Sequence, residues 1–205
     1  MADRAQLDRT IQALARNQME GILVENPSQL RETILELVPK GSLVSCGGSV
    51  TLAQTGVMDL LREGSYRFLD REGKTNEEKE ALYREVFSAD AYFTSTNAIT
   101  EQGELYNVDG RGNRVAAMIF GPKRVIVVAG ANKIVPDVHA AVKRLRAVAA
   151  PLNAKRLDLA TGCRNAGRCV DCRSPQRICC DYVKIGFQQD PQRIKVLLLP
   201  EEYGY

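Results

Sequence analysis

VIVVAGA, residues 125–131, decides the fold. Its first five side chains are apolar with no polar alternation, the pattern of a strand buried on both faces inside a parallel sheet. The run VLLLP, 196–200, has the same character. Both have strand length, and neither approaches the roughly 20 apolar residues that a bilayer span requires. Outward from the central run, helical and strand periodicities alternate, as an α/β fold demands.

Leu7, Ile11 and Leu14 mark the apolar face of a first helix, and 21–24 reads as a short strand. Asn26 suits the N-cap of the next helix, Pro27 its first position, and Gln29 the completion of a capping box. That helix carries Leu30, Ile34 and Leu37 and ends at Pro39. Residues 42–46 form a strand, followed by Gly47-Gly48-Ser49 and one helix bearing Leu52 and Leu60. Residues 66–69 are a further strand. Thr75 with Glu78 makes a second capping box, opening a helix with Leu82 and Val86. Strands at 91–94 and 104–108 flank a polar loop. Val138, Val142, Leu145 and Ala149 define a last helix stopping at Pro151, and 194–199 returns as a strand. Asp137 at the start of that helix, and Arg144 and Arg146 toward its end, suit its macrodipole.

The chain has 205 residues, enough for one domain that buries about 70% of its unfolded surface without disulfides. Its opening MADRAQLDRTIQ is charged and has no apolar signal region, so a cytoplasmic location is expected. The net charge of +3, from 28 basic and 25 acidic residues, is spread along the chain. No basic stripe interleaved with aromatics exists, so neither nucleic acid nor membrane is an expected partner.

Two stretches have ligand chemistry. VSCGGSVTL (44–52) puts glycines and a serine between strand and helix, where the backbone approaches an anion closely. A plain tight turn explains it equally well. TSTNAITEQGELYNVDGRGNR (94–114) gathers Thr96, Asn97, Glu101, Asn107, Asp109 and Asn113 on turns near strand ends, where open α/β sheets form their ligand crevice. Glu101 and Asp109 are the candidate acid and base. Hairpin turn chemistry accounts for Gly110 and Gly112 but leaves the asparagines unexplained. Cys46 reads as a small buried hydrophobe.

The other five cysteines fall within TGCRNAGRCVDCRSPQRICC (161–180), at positions 163, 169, 172, 179 and 180. In a reducing compartment such a cluster argues for metal or redox chemistry over disulfides. An all-thiolate set with irregular spacing and one Cys-x2-Cys step favours a [4Fe–4S] cluster, with Zn as the alternative. Arg164, Arg168, Arg173 and Arg177 offset its negative charge. His139, on a charged helix, is not an expected ligand. On extended backbone adjacent Cys179 and Cys180 point to opposite sides, so only one of them joins a given cluster.

GGSVTLAQTG, TNAITEQGELYNVDGRGNRVAAMIFGPKRVIVVAGANKIV and the RIC segment resemble the LUD (lactate utilisation) domain family of the LutC/YkgG type. The resemblance covers nearly the whole chain and implies one LUD domain over 1–205 containing a Cys-rich metal-binding segment, 161–182. The implied fold is a Rossmann-like open sheet similar to the NagB/RpiA/CoA-transferase superfamily. Implied substrate positions are Gly47, Gly48, Ser49, Asn97, Asn107, Asn113 and Lys133, with Glu101 and Asp109 beside them. The RIC motif selects Cys163, Cys169, Cys172 and Cys179 as metal ligands. One departure stands out: Cys180 occupies a position where the resemblance expects Asn. The implied activity is electron transfer in oxidation of lactate or a related hydroxy acid, with iron–sulfur or flavin partner subunits and a small anionic substrate. The alternative is a non-redox isomerase or transferase acting on a phosphorylated or CoA-linked substrate around a structural metal. A homodimer is compatible with either.

Overall fold

The computed structural model describes residues 3–205; Met1 and Ala2 of the charged N-terminal stretch lie outside them. Chain order begins α1 (Arg4–Arg16), β1 (Glu20–Leu23), α2 (Pro27–Leu37), β2 (Leu43–Cys46), α3 (Val50–Gln54), α4 (Val57–Arg62) and β3 (Arg67–Leu69). It continues through α5 (Asn76–Glu85), β4 (Ala91–Thr94), β5 (Ala98–Thr100), β6 (Leu105–Asp109), α6 (Asn113–Phe120) and β7 (Arg124–Gly130). Last come β8 (Ile134–Val135), α7 (Val138–Arg144), α8 (Ala150–Arg156), α9 (Gly162–Ala166), β9 (Asp181–Ile185) and β10 (Ile194–Leu199).

Six strands form a parallel sheet in the order β1-β10-β7-β4-β2-β3. As its apolar run predicts, β7 is central and buried on both faces from Val125 onward. Val125, Val127 and Ala129 face one core, shared with Leu7 and Leu14 of α1, Leu82 of α5 and Met118 of α6. Ile126 and Val128 face the other, shared with Leu30 and Ile34 of α2 and with Leu52, Leu60 and Leu61 of α3 and α4. A second sheet, β8-β5-β6-β9, packs Ile99, Leu105 and Ile185 into the first core. Its other face meets α7 and α8 through Tyr106, Val108, Leu145, Ala149 and Ala150.

Helix starts follow the capping signals. Thr75 and Glu78 make both bonds of the capping box. Asn26 accepts the Gln29 N–H at 3.0 Å, but Gln29 reaches past the cap to accept from Glu25 N–H at 2.7 Å. Three expectations are corrected. The single helix after Ser49 is two, α3 and α4, because Gly56 takes φ +73° between them. The polar loop after β4 contains β5, which pairs antiparallel with β6. Pro151 does not stop the last helix: five residues of π-helix, Leu145–Ala149, join α7 to α8. A wider turn accommodates a residue that lacks an N–H and crowds the preceding turn.

Candidate functional site

Every strand of the parallel sheet points its carboxyl end toward the same rim, and five of the following loops build one cleft of about 290 Å³. Gly48, Ser49 and Thr51 follow β2, and Arg71 follows β3. Ser95 and Asn97 follow β4, Lys133 follows β7, and Tyr205 comes in after β10. This is the place where open α/β sheets bind ligands. The second sheet and its helices close the cleft with Asp109, Arg111, Asn113, Arg114, Asn153 and Arg156.

The lining charges are strongly one-sided: Arg71, Arg111, Arg114, Lys133 and Arg156 against Asp109 alone. Arg114 is committed to Asp109, Nη2 to Oδ1 at 2.7 Å, and its Nη1 donates to Asn107 Oδ1 at 2.6 Å and Ser95 O at 2.9 Å. The other Asp109 oxygen accepts the Val115 N–H in the first turn of α6 at 3.0 Å. Arg111 pairs with Glu80. Among the described residues, Arg71, Lys133 and Arg156 have no carboxylate partner. Arg156 instead binds Asn153 Oδ1 and the Tyr205 hydroxyl. Arg71 lies over Gly48, where a Cβ would stand 2.3 Å from its Nη2.

Lys133 is the floor of the cleft. It is 3% exposed, and its Nζ donates to Thr51 Oγ1 and Ser95 Oγ, both at 2.9 Å. Burial, reinforced by the Arg144 and Arg114 guanidiniums, brings its amine down from 10.5 to about 7. Thr51 Oγ1 in turn donates a hydrogen bond to Tyr203 O at 3.2 Å. Arg144 ties the neighbouring turns together, donating to Asn132 O at 3.0 Å and Asn97 O at 2.7 Å.

Of the positions singled out in the sequence, Gly48, Ser49, Thr96, Asn97, Asp109, Asn113 and Lys133 line this cleft. Gly47 and Asn107 stand behind it. Asn107 is fully buried, and its Nδ2 has no hydrogen-bond partner. Glu101 lies elsewhere: the β5–β6 turn carries it to α1, where it accepts from Gln6 Nε2 at 2.8 Å. Asp109, expected as an acid or base, is occupied in orienting Arg114 and α6. Sequence reading missed Thr51, Arg71, Ser95, Arg114, Arg156 and Tyr205. All but Arg114 and Arg156 follow a parallel strand within a few residues, which is the signal that exposes them.

The thiol segment abuts the same cleft. Cys180 N–H donates to Asp109 O at 2.8 Å, β9 pairs with β6, and Ile178 is part of the cleft wall. Cys163 is buried, Cys169, Cys172 and Cys179 are half-buried, and Cys180 is exposed. Burial, then the nearby thiols of Cys169 and Cys163, push Cys179 up to about 11, with Cys172 adding to this and Arg177 opposing it. Arg177 braces the loop by donating to Cys179 O at 2.8 Å and Cys172 O at 2.7 Å. Asp171 N–H points at Cys169 Sγ, 3.4 Å away. Cys179 with the three thiols that act on it, Cys163, Cys169 and Cys172, is a donor set suited in residue type to an iron–sulfur cluster or zinc. Among the described residues, no three His, Cys, Asp or Glu side chains stand at metal-holding distance of one another. Cys46 is, as expected, a packing residue at the end of β2, with burial pushing its thiol up to about 11. His139 is exposed.

A parallel sheet covered on both faces, with a cationic cleft at its carboxyl rim, defines the class: an α/β domain of the open-sheet type. Residues 7–199 match the LUD domain description, and the chain belongs to that family. The fold is similar to the crystal structure of a DUF162 family protein from Deinococcus radiodurans. The TM-score is 0.56 and the identity 16%, with 97% of this chain and 99% of that one covered. No curated protein matches the sequence. No helix among the described residues is long and apolar enough to cross a membrane.

Proposed function

We propose that this chain binds a small hydroxy acid or its oxo-acid counterpart in the cationic cleft. It serves there as a redox subunit or accessory protein in oxidation of lactate or a related acid. The observation that carries this reading is a cleft with three cations lacking carboxylate partners, walled on one side by the thiol-bearing segment. Arg71 and Arg156 supply charge-assisted hydrogen bonds to a carboxylate. Lys133, Thr51 and Ser95 present an amine and two hydroxyls to the carbon bearing the hydroxyl or oxo group. Cys163, Cys169, Cys172 and Cys179 would hold a [4Fe–4S] cluster, which supplies one-electron transfer to partner subunits. Cys180, exposed and with its Sγ directed to Arg177 O, is left out of the ligand set.

Anaerobic purification with iron, zinc and EPR analysis tests the redox part. The expected outcome is a brown iron-containing protein that becomes EPR-active on dithionite reduction, with a cluster that Cys163→Ser destroys and Cys180→Ser keeps. A colourless protein with stoichiometric zinc, or a cluster lost only in Cys180→Ser, refutes it.

Lys133 itself favours a second reading, a non-redox isomerase or transferase with a structural metal. An amine near neutral pKa in a ligand cleft can move a proton at pH 7, whereas Glu101 lies away from the cleft and Asp109 is already paired with Arg114.

A further inference from the structure

Resting on the reading of the cleft as an oxo-acid site, we propose that Lys133 captures a 2-oxo acid covalently, as an imine formed on its Nζ. Four observations converge on that amine. It is 3% exposed yet lines the ligand cleft. It bonds to two hydroxyls and to no carboxylate, so nothing holds it in the charged form. Two guanidiniums, those of Arg114 and Arg144, oppose a third positive charge nearby. Arg71 and Arg156 line the same cleft without an ion pair of their own, and a 2-oxo acid carries a carboxylate next to its reactive carbonyl. A lysine desolvated beside other cations is the arrangement that makes an amine nucleophilic toward carbonyls at neutral pH.

The step balances with the groups present. The Nζ lone pair attacks the carbonyl carbon, a C–N bond forms, and the carbonyl π electrons move to oxygen. One amine proton passes to that oxygen through the Ser95 or Thr51 hydroxyl, giving a carbinolamine. The second amine hydrogen leaves with the hydroxyl as one water molecule, and C=N replaces C–O. Lys195 is an internal control. It is 4% exposed, equally buried, but it pairs with Glu20 and accepts no comparable role.

Incubating the full chain with pyruvate and sodium cyanoborohydride, then mapping peptides by mass spectrometry, tests the proposal. Hydride delivery to the imine carbon fixes the adduct. The expected result is one reduced pyruvyl adduct at Lys133, none at Lys195, at least tenfold above any exposed lysine. The adduct should be absent in Lys133→Arg, whose fold is checked by circular dichroism. Absence of label on Lys133 in the wild-type chain, or labelling confined to exposed lysines, overturns it. Calorimetry with lactate and pyruvate separates the two levels. Binding without an adduct removes the imine and leaves the oxo-acid site standing, whereas no binding and no adduct removes both.

Discussion

Lys133 and Lys195 are buried to the same degree, 3% and 4% exposed, in the same α/β sheet system, yet they are different chemical objects. Lys195 sits on β10 in register with Glu20 of the neighbouring β1. Its amine meets that carboxylate and, at 3.0 Å, the Gln192 amide oxygen. Lys133 lies three residues past the end of β7 and meets only hydroxyls. Burial alone therefore does not decide what a lysine amine is. The counter-charge does, because a desolvated ammonium without a carboxylate is destabilised relative to its neutral amine.

The largest expected effect that would break this contrast is on stability. The Lys133 amine titrates at about 7 in the folded chain and at 10.5 in the unfolded one, so the unfolded chain holds the extra proton between those values. Folded stability then rises with pH across that window, by about 1.4 kcal/mol per pH unit. Lys133→Met is expected to stabilise the fold most below pH 7, by on the order of 4 kcal/mol. The gain should shrink as pH approaches 10.5. Urea unfolding at pH 6 and pH 10 reads it, and equal gains at both would show that Lys133 is as well compensated as Lys195.

A smaller effect sharpens the functional half. Arg71→Gln removes one guanidinium that has no ion pair while leaving the Lys133 nest intact. Affinity for pyruvate should fall about tenfold, or about 1.4 kcal/mol, by calorimetry at low salt. Unchanged affinity would move the carboxylate elsewhere in the cleft. The smallest effect is at the control lysine. Glu20 is half-exposed, so Glu20→Gln should cost no more than about 1 kcal/mol in thermal or urea unfolding. A loss of about 3 kcal/mol or more would mark the pair as energetically buried.

Much of the architecture was legible because burial on two faces leaves a direct trace. The unbroken run at β7, the caps at Asn26 and Thr75, and the acidic Asp137 at the start of α7 are local patterns that the fold realises. What failed was also local in appearance but tertiary in cause. Ala98–Thr100 is too short to announce a strand and exists through pairing with β6 and β8. Pro151 ends most helices, but here a π turn absorbs it. Within the polar stretch, residue type marked Asn97 and Asp109 correctly as cleft residues, while Glu101, equally polar, points to α1.

The sequence by itself determined the family, the α/β class, the strand that centres the sheet and the presence of a clustered set of thiols. Those properties depend on side-chain type and spacing along the chain. Only the tertiary structure decided which cations lack a counter-charge. Arginines 71, 114 and 156 are indistinguishable as letters. Arg114 is paired with Asp109, and the other two form no ion pair, because five strand-end loops distant in sequence meet at one rim. Electrostatic energy depends on distance and burial, and both are set by that convergence.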